Sequence, residues 1–101
     1  GLSDNTTYTF MVEIVGRYNS TTAKGIGGKL KFIVYRNNGG SAVIANDVTG
    51  RIKEKETYGT PGYDFEVDVS GNDVRIRVTG AASETVSWMC NVEWISISTS
   101  A

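Results

Sequence analysis

The chain predicts an all-β fold: an antiparallel β-sandwich of jelly-roll type with no substantial helix. Three observations lead there. Apolar residues recur at every second position in segment after segment, and nowhere with the 3.6-residue period of a surface helix. The gaps between these segments are too short for crossover helices, so neighbouring strands run antiparallel. The length of 101 residues, 40% of them apolar, suits one domain (residues 1–101) of about seven strands, which needs about 100 residues.

Taken in order, Tyr8, Phe10, Val12 and Ile14 alternate with Thr7, Thr9, Met11 and Glu13, the mark of a half-buried strand. Gly25-Ile26-Gly27-Gly28-Lys29 has the glycines of a phosphate cradle. It lacks the Gly-Lys-Ser/Thr ending and any following helix, and reads as a flexible hairpin loop. Leu30, Phe32 and Val34 then alternate with Lys29, Lys31 and Ile33. A turn centred on Asn38-Gly39 sets Val34 opposite Val43 and Phe32 opposite Ala45. On the other side it sets Ile33 opposite Ile44 and Tyr35 opposite Ala42. Both faces of that pair are apolar, so both need cover. With no helix to provide it, the second cover is expected from another chain.

Residues 49–57 are nearly all polar and read as an edge strand or exposed loop, with lysines that discourage edge pairing. Pro61, in Tyr58-Gly59-Thr60-Pro61-Gly62, marks a turn. Tyr63, Phe65, Val67 and Val69 alternate with Asp64, Glu66 and Asp68. A two-residue turn at Gly71-Asn72 then places Val69 opposite Val74, Val67 opposite Ile76 and Phe65 opposite Val78. The same register sets Asp68 against Arg75 and Glu66 against Arg77. Both faces agree in character, which a slipped register would not give.

The formal net charge is -1, with both signs spread along the chain. No basic block suggests nucleic acid, and no apolar run approaches the ~20 residues of a membrane span. The first residue is Gly1 and the sequence does not open on a charged head followed by an apolar stretch, so the expectation is an excised or tag-cleaved piece of a longer chain. Asn5-Thr6-Thr7 and Asn19-Ser20-Thr21 match the glycosylation pattern by chance. Histidine is absent and Cys90 is the one cysteine. Together these remove Ser-His and Cys-His catalysis, the usual zinc sites and any disulfide within the chain. Val86, Trp88, Cys90 and Val92 alternate, which predicts a buried, inert thiol. Asp64, Glu66 and Asp68 lie roughly 6.6 Å apart at about 3.3 Å per residue, near the spacing of glycosidase carboxylates. The register gives two of the three an arginine partner, so they read as a solvated face. No catalytic residue, metal site or cofactor is expected.

Two residue sets remain. Tyr18, Tyr58 and Trp94 fall at strand ends or near turns. There they either cap the sandwich or offer flat apolar faces to sugar rings, and a bulge near Glu93–Ile95 would flip Trp94 to the other side. Met11, Val15, Ile33, Tyr35, Ile44 and Met89 form an outward apolar set. If joined they make a subunit interface; the alternative is a second core layer.

The last third carries a motif: Asn72-Asp73, Val74, Ile76, Val78-Thr79-Gly80, Ala81-Ala82, Thr85-Val86, Trp88, Cys90 and Val92. It resembles the C-terminal domains of bacteriophage tail fibres and tail spikes. The Gly-rich segment 25–28, the strand Lys29–Arg36 and the turn Asn37–Gly40 follow the same order of elements. In that pattern Gly80 and the alanines form a tight turn and Trp88 fills the core. The resemblance implies a non-enzymatic distal domain of a homotrimeric virion appendage, made in the bacterial host cytoplasm. Its expected work is recognition of a host-surface glycan or receptor, trimerisation, or both. The alternatives are a purely structural trimerisation cap and a carbohydrate-binding module attached to a glycoside hydrolase.

Overall fold

The computed structural model describes residues 1–45, 51–59 and 61–100. Thr49, Gly50 and Thr60 of the predicted segments lie outside the described residues. The chain is all-β and antiparallel, and among the described residues there are seven strands and no helix: β1 (Thr6–Tyr18), β2 (Gly25–Arg36), β3 (Val43–Ile44), β4 (Ile52–Tyr58), β5 (Asp64–Ser70), β6 (Asp73–Thr79) and β7 (Val86–Ser98). They form an elongated body of 54 × 21 × 21 Å.

β1 is central. It pairs antiparallel with β2 along one edge and with β7 along the other, over almost its full length. The far edge of β2 is shared, β4 pairing with Gly25–Lys31 and β3 with Val34–Tyr35. The second sheet is the β5–β6 hairpin alone. Its register is the one the sequence predicts, with Val69↔Val74, Val67↔Ile76 and Phe65↔Val78 on one side and Asp68↔Arg75 and Glu66↔Arg77 on the other. Gly71 takes the left-handed conformation (φ 57°) that the tight turn requires.

The hairpin lays Tyr63, Phe65 and Val67 on Tyr8, Phe10, Val12 and Ile14 of β1 and Ile26, Leu30, Phe32 and Val34 of β2. Tyr8, Phe10 and Phe32 stack in series with centroids 5.5 and 5.4 Å apart. Its turn is fastened by Leu2 N–H to the Asn72 carbonyl and Ala42 N–H to the Gly71 carbonyl, both 2.8 Å. Along β5, Lys53 and Lys55 of β4 reach Asp64 at 3.0 and 3.5 Å, while Arg51 and Lys53 reach Glu66 at 3.2 and 3.5 Å.

Four expectations need correction. The Gly25–Gly28 segment is not a loop but the start of β2. Its glycines are there because neighbours occupy the space of a side chain. A methyl group on Gly28 would run into the Glu54 carbonyl and lie 2.8 Å from Phe65 Cζ, and one on Gly25 would sit 2.5 Å from the Tyr58 ring.

The β2–β3 pairing is shifted by one residue, to Val34↔Ile44 and Tyr35↔Val43. The turn itself sits where expected, closed by Gly40 N–H to the Asn37 carbonyl. The extra residue enters after it, because the Ala42 N–H leaves the ladder for Gly71. Ile44 therefore turns inward against the core and Val43 outward.

Cys90 is exposed, not buried. Arg77 reaches diagonally to Asp68 (3.0 Å) rather than straight across to Glu66, which Arg51 and Lys53 already hold.

The position of Cys90 exposes the main asymmetry. The large sheet is four strands wide, roughly 19 Å at about 4.8 Å per strand, whereas the hairpin is two strands wide, roughly 10 Å. The row Phe32–Phe10–Trp94 runs across β2, β1 and β7 on one face. Its residues are 1%, 7% and 59% exposed in that order. The cover stops between β1 and β7.

A candidate interface along the last strand

β7 is an edge strand of 13 residues, bare on both faces beyond Trp88. On the hairpin side, Trp88 is half-buried, its ring tilted against Tyr63 at 6.2 Å and lying over Gly16. Beyond it Cys90, Val92 and Trp94 are exposed. A groove of about 220 Å³ lies between β6 and β7, lined by Ile14, Ile76, Val78, Trp88, Met89 and Cys90. On the other side Met89, Ile95 and Ile97 are between 71% and 76% exposed. The continuous β1–β7 register from Tyr18↔Val86 to Thr6↔Ser98 leaves no bulge, so Trp94 stays on the core-facing side, its ring 6.3 Å from Phe10.

The predicted outward set divides. Met11, Val15, Ile33 and Met89 are exposed on the face away from the hairpin, with Tyr35 half-buried on the same face. Ile44 drops out, because the register shift turns it inward. The remaining residues do not form one patch. Charged rows cross the middle of the face, Lys31–Met11–Glu93 and Lys29–Glu13–Asn91. Val15 and Met89 lie on one side of them and Ile33, Tyr35, Ile95 and Ile97 on the other. Sequence reasoning missed Val43, Ile95 and Ile97. The alternation Trp94-Ile95-Ser96-Ile97-Ser98 carried the signal for the last two.

Tyr18, Tyr58 and Trp94 are not brought together. Tyr18 pairs with Val86, eight positions from Trp94 along β7 and so roughly 26 Å away at about 3.3 Å per residue. Tyr18 carries Lys24 Nζ 5.3 Å above its ring. Tyr58 accepts a hydrogen bond from Arg17 Nη1 at 3.1 Å.

A polar cluster centres on Glu84 at one end of the body. Its carboxylate accepts from Lys24 Nζ at 2.7 Å and from the Tyr63 hydroxyl at 2.5 Å. It thereby ties the β1–β2 turn and the entry to β5 to the β6–β7 turn. That last turn spans Ala81–Glu84, with Ser83 in the left-handed conformation. The Lys24 hydrogen bond, then the Tyr63 one, holds Glu84 below the usual carboxylate range. Burial, then the bond to Glu84, pushes Tyr63 up to about 12. Both partners are engaged with each other, as are Asp64, Glu66 and Asp68 with their cations. Among the described residues no cluster of three His, Cys, Asp or Glu is placed to hold a metal ion. An open groove of about 400 Å³ beside β4 includes Glu54, Glu56 and Tyr58, with Glu54 3.8 Å from Lys29. No side chain there is arranged as a nucleophile with a base.

No family model, curated protein or solved structure matches the chain. The viral, tail-appendage, receptor-binding and carbohydrate-binding expectations rested on the C-terminal motif, and with no match to support them they are withdrawn. In this structure the motif describes a β6–turn–β7 unit whose parts have local reasons. Asp73–Thr79 is the second strand of the hairpin, the small residues make its exit turn, and Trp88 packs over Gly16.

Proposed function

We propose that this is a non-catalytic β-domain whose work is self-association, with β7 as the contact. One observation carries the reading: along a single row of one face, exposure rises from Phe32 to Phe10 to Trp94 while the residues stay equally large and apolar. Monomeric proteins seldom leave joined apolar surface of this kind uncovered, and a long uncovered edge strand invites pairing. A second copy fits this surface better than a charged partner does, because Glu93 is the one acidic or basic residue in the 13 of β7. The flanking charged rows hold both signs and can be matched by another copy. The number of copies is what a mass measurement reads.

The test is light scattering over a dilution series of the native chain, beside Ile95→Glu. The reading expects a defined oligomer that dissociates on dilution, and a variant that stays monomeric at the same concentrations with an unchanged β-sheet circular dichroism spectrum. A native chain that is monomeric at the highest concentration overturns it.

A further inference from the structure

The backbone of β7 determines how a second copy can meet it. The Thr99 N–H bonds the Asn5 carbonyl at 2.9 Å and the Asn19 N–H bonds the Thr85 carbonyl at 2.8 Å. Both pairs continue the β1–β7 register beyond its two ends. Odd-numbered residues therefore turn their backbone groups toward β1, and by antiparallel alternation the even-numbered ones, Trp88 to Ser96, turn theirs toward the open edge. Among the described residues no backbone bond outside the β1 ladder takes these groups. A copy related by a two-fold axis perpendicular to the sheet can satisfy them, provided each residue meets one of the same parity. The candidate axes then pass midway between a residue of β7 and the same residue of the copy.

The side chains choose among these axes. An axis at Glu93 sets two carboxylates opposite each other, which destabilises. An axis at Asn91 sets Glu93 against Met89. An axis at Val92, the midpoint of Val86–Ser98, pairs all 13 residues. It sets Glu93 against Asn91, Met89 against Ile95, and Cys90 against Trp94. On the core-facing side, Trp94 of one copy then arrives beside the groove that Ile76, Val78 and Cys90 line in the other. The exposed ring and the unfilled groove are thus brought together twice, once on each side of the axis.

We infer that two copies pair their β7 strands antiparallel about Val92, joining two five-stranded sheets into one of ten strands. This rests on the self-association reading and adds its geometry. In a hydrogen-bonded antiparallel pair the Cα atoms lie about 5.5 Å apart, within the roughly 4.4–6.8 Å that a disulfide spans. The experiment is the double variant Val92→Cys with Cys90→Ser, exposed to oxidised glutathione and run on a non-reducing gel. The expected result is a shift to twice the mass, absent from the native chain, whose Cys90 faces Trp94. The unaltered chain supplies a second measurement. Amide exchange at Cys90, Val92 and Trp94 should be slow where light scattering shows the oligomer and fast where it shows the monomer. An oligomer that gives neither the cross-link nor concentration-dependent protection overturns the pairing and leaves self-association standing. An oligomer that cross-links through Cys90 moves the axis and also overturns it. A monomer at every concentration overturns both.

Discussion

β2 and β7 are both partners of β1, and they differ in one respect that organises the molecule. Each runs antiparallel to β1 for almost all its length, each alternates, and each turns its even-numbered side chains to the same face. Leu30, Phe32 and Val34 of β2 are buried, and Val92 and Trp94 of β7 are not. Alternation states which side chains share a side. It does not state whether anything lies over that side. The width of the opposing layer decides that, and a two-stranded hairpin cannot cover a sheet four strands wide.

The sharpest way to break this comparison is to truncate the two ends of one row. Phe32→Ala empties a site under the hairpin and should cost about 3–5 kcal/mol. Trp94→Ala removes a ring of similar size that touches Phe10 at its edge, and should cost about 0.5–1.5 kcal/mol, the worth of an aromatic pair. Urea midpoints at concentrations where the chain is monomeric, read with an unchanged dependence on denaturant, give both numbers. Equal losses would mean that β7 is covered in the isolated chain. Above the association concentration the order of effects on mass reverses, with Trp94→Ala the variant that dissociates.

A smaller effect separates the two faces of β2 itself, at adjacent glycines. Gly28 faces the hairpin, where a methyl group meets the Glu54 carbonyl and the Phe65 ring. Gly28→Ala should cost about 1–3 kcal/mol through overpacking. Gly27 faces away, with nothing nearer to the added carbon than the Ile14 carbonyl at 4.0 Å. Gly27→Ala should be neutral, or stabilising by about 0.4–1 kcal/mol through the lost freedom of the unfolded chain. The same unfolding curves decide it, and a loss at Gly27 to match that at Gly28 would place a second layer on the outer face.

These glycines also show where sequence reading succeeds and where it stops. The β5–β6 register was legible because the Gly71-Asn72 turn and two faces of opposite character agree on one solution. The β2–β3 register was not, because Val43 and Ile44 are both apolar and either can face the core. A single backbone hydrogen bond, Ala42 to Gly71, makes the choice, and no side chain announces it. Gly25–Gly28 suggested a loop by composition, yet the lack of side chains there serves Tyr58 and Phe65, which belong to distant segments. For the candidate interface, Met11, Val15, Ile33 and Met89 were placed outward from alternation alone. Cys90 was placed on the correct side and given the wrong surroundings, and the side of Trp94 stayed open until the unbroken β1–β7 register settled it.

The covered and bare regions meet at Glu84, and there the comparison can be sharpened by pH. Glu84 titrates below the ordinary carboxylate value, so its contribution to stability is present above about pH 4.3 and is lost as pH falls through the lowered folded value. Tyr63 and Lys24 lie on the opposite limb. Burial and then Glu84 raise the phenol to about 12, and the hydrogen bond that Lys24 donates to Glu84 raises the ammonium against the pull of burial. Stability from Tyr63 is therefore complete below about pH 10 and disappears as pH rises toward about 12. Glu84→Gln removes the charge and keeps the shape. It should lower the urea midpoint at neutral pH, flatten the acid limb and bring the late-ionising phenol nearer its ordinary value. Phenolate absorbance read against pH should show one of the five tyrosines lagging in the native chain and lagging less in the variant, burial accounting for what remains. The same titration in both chains would mean that burial alone sets the Tyr63 value, and that the end of β7 is held to the hairpin by the Trp88 ring rather than by the carboxylate.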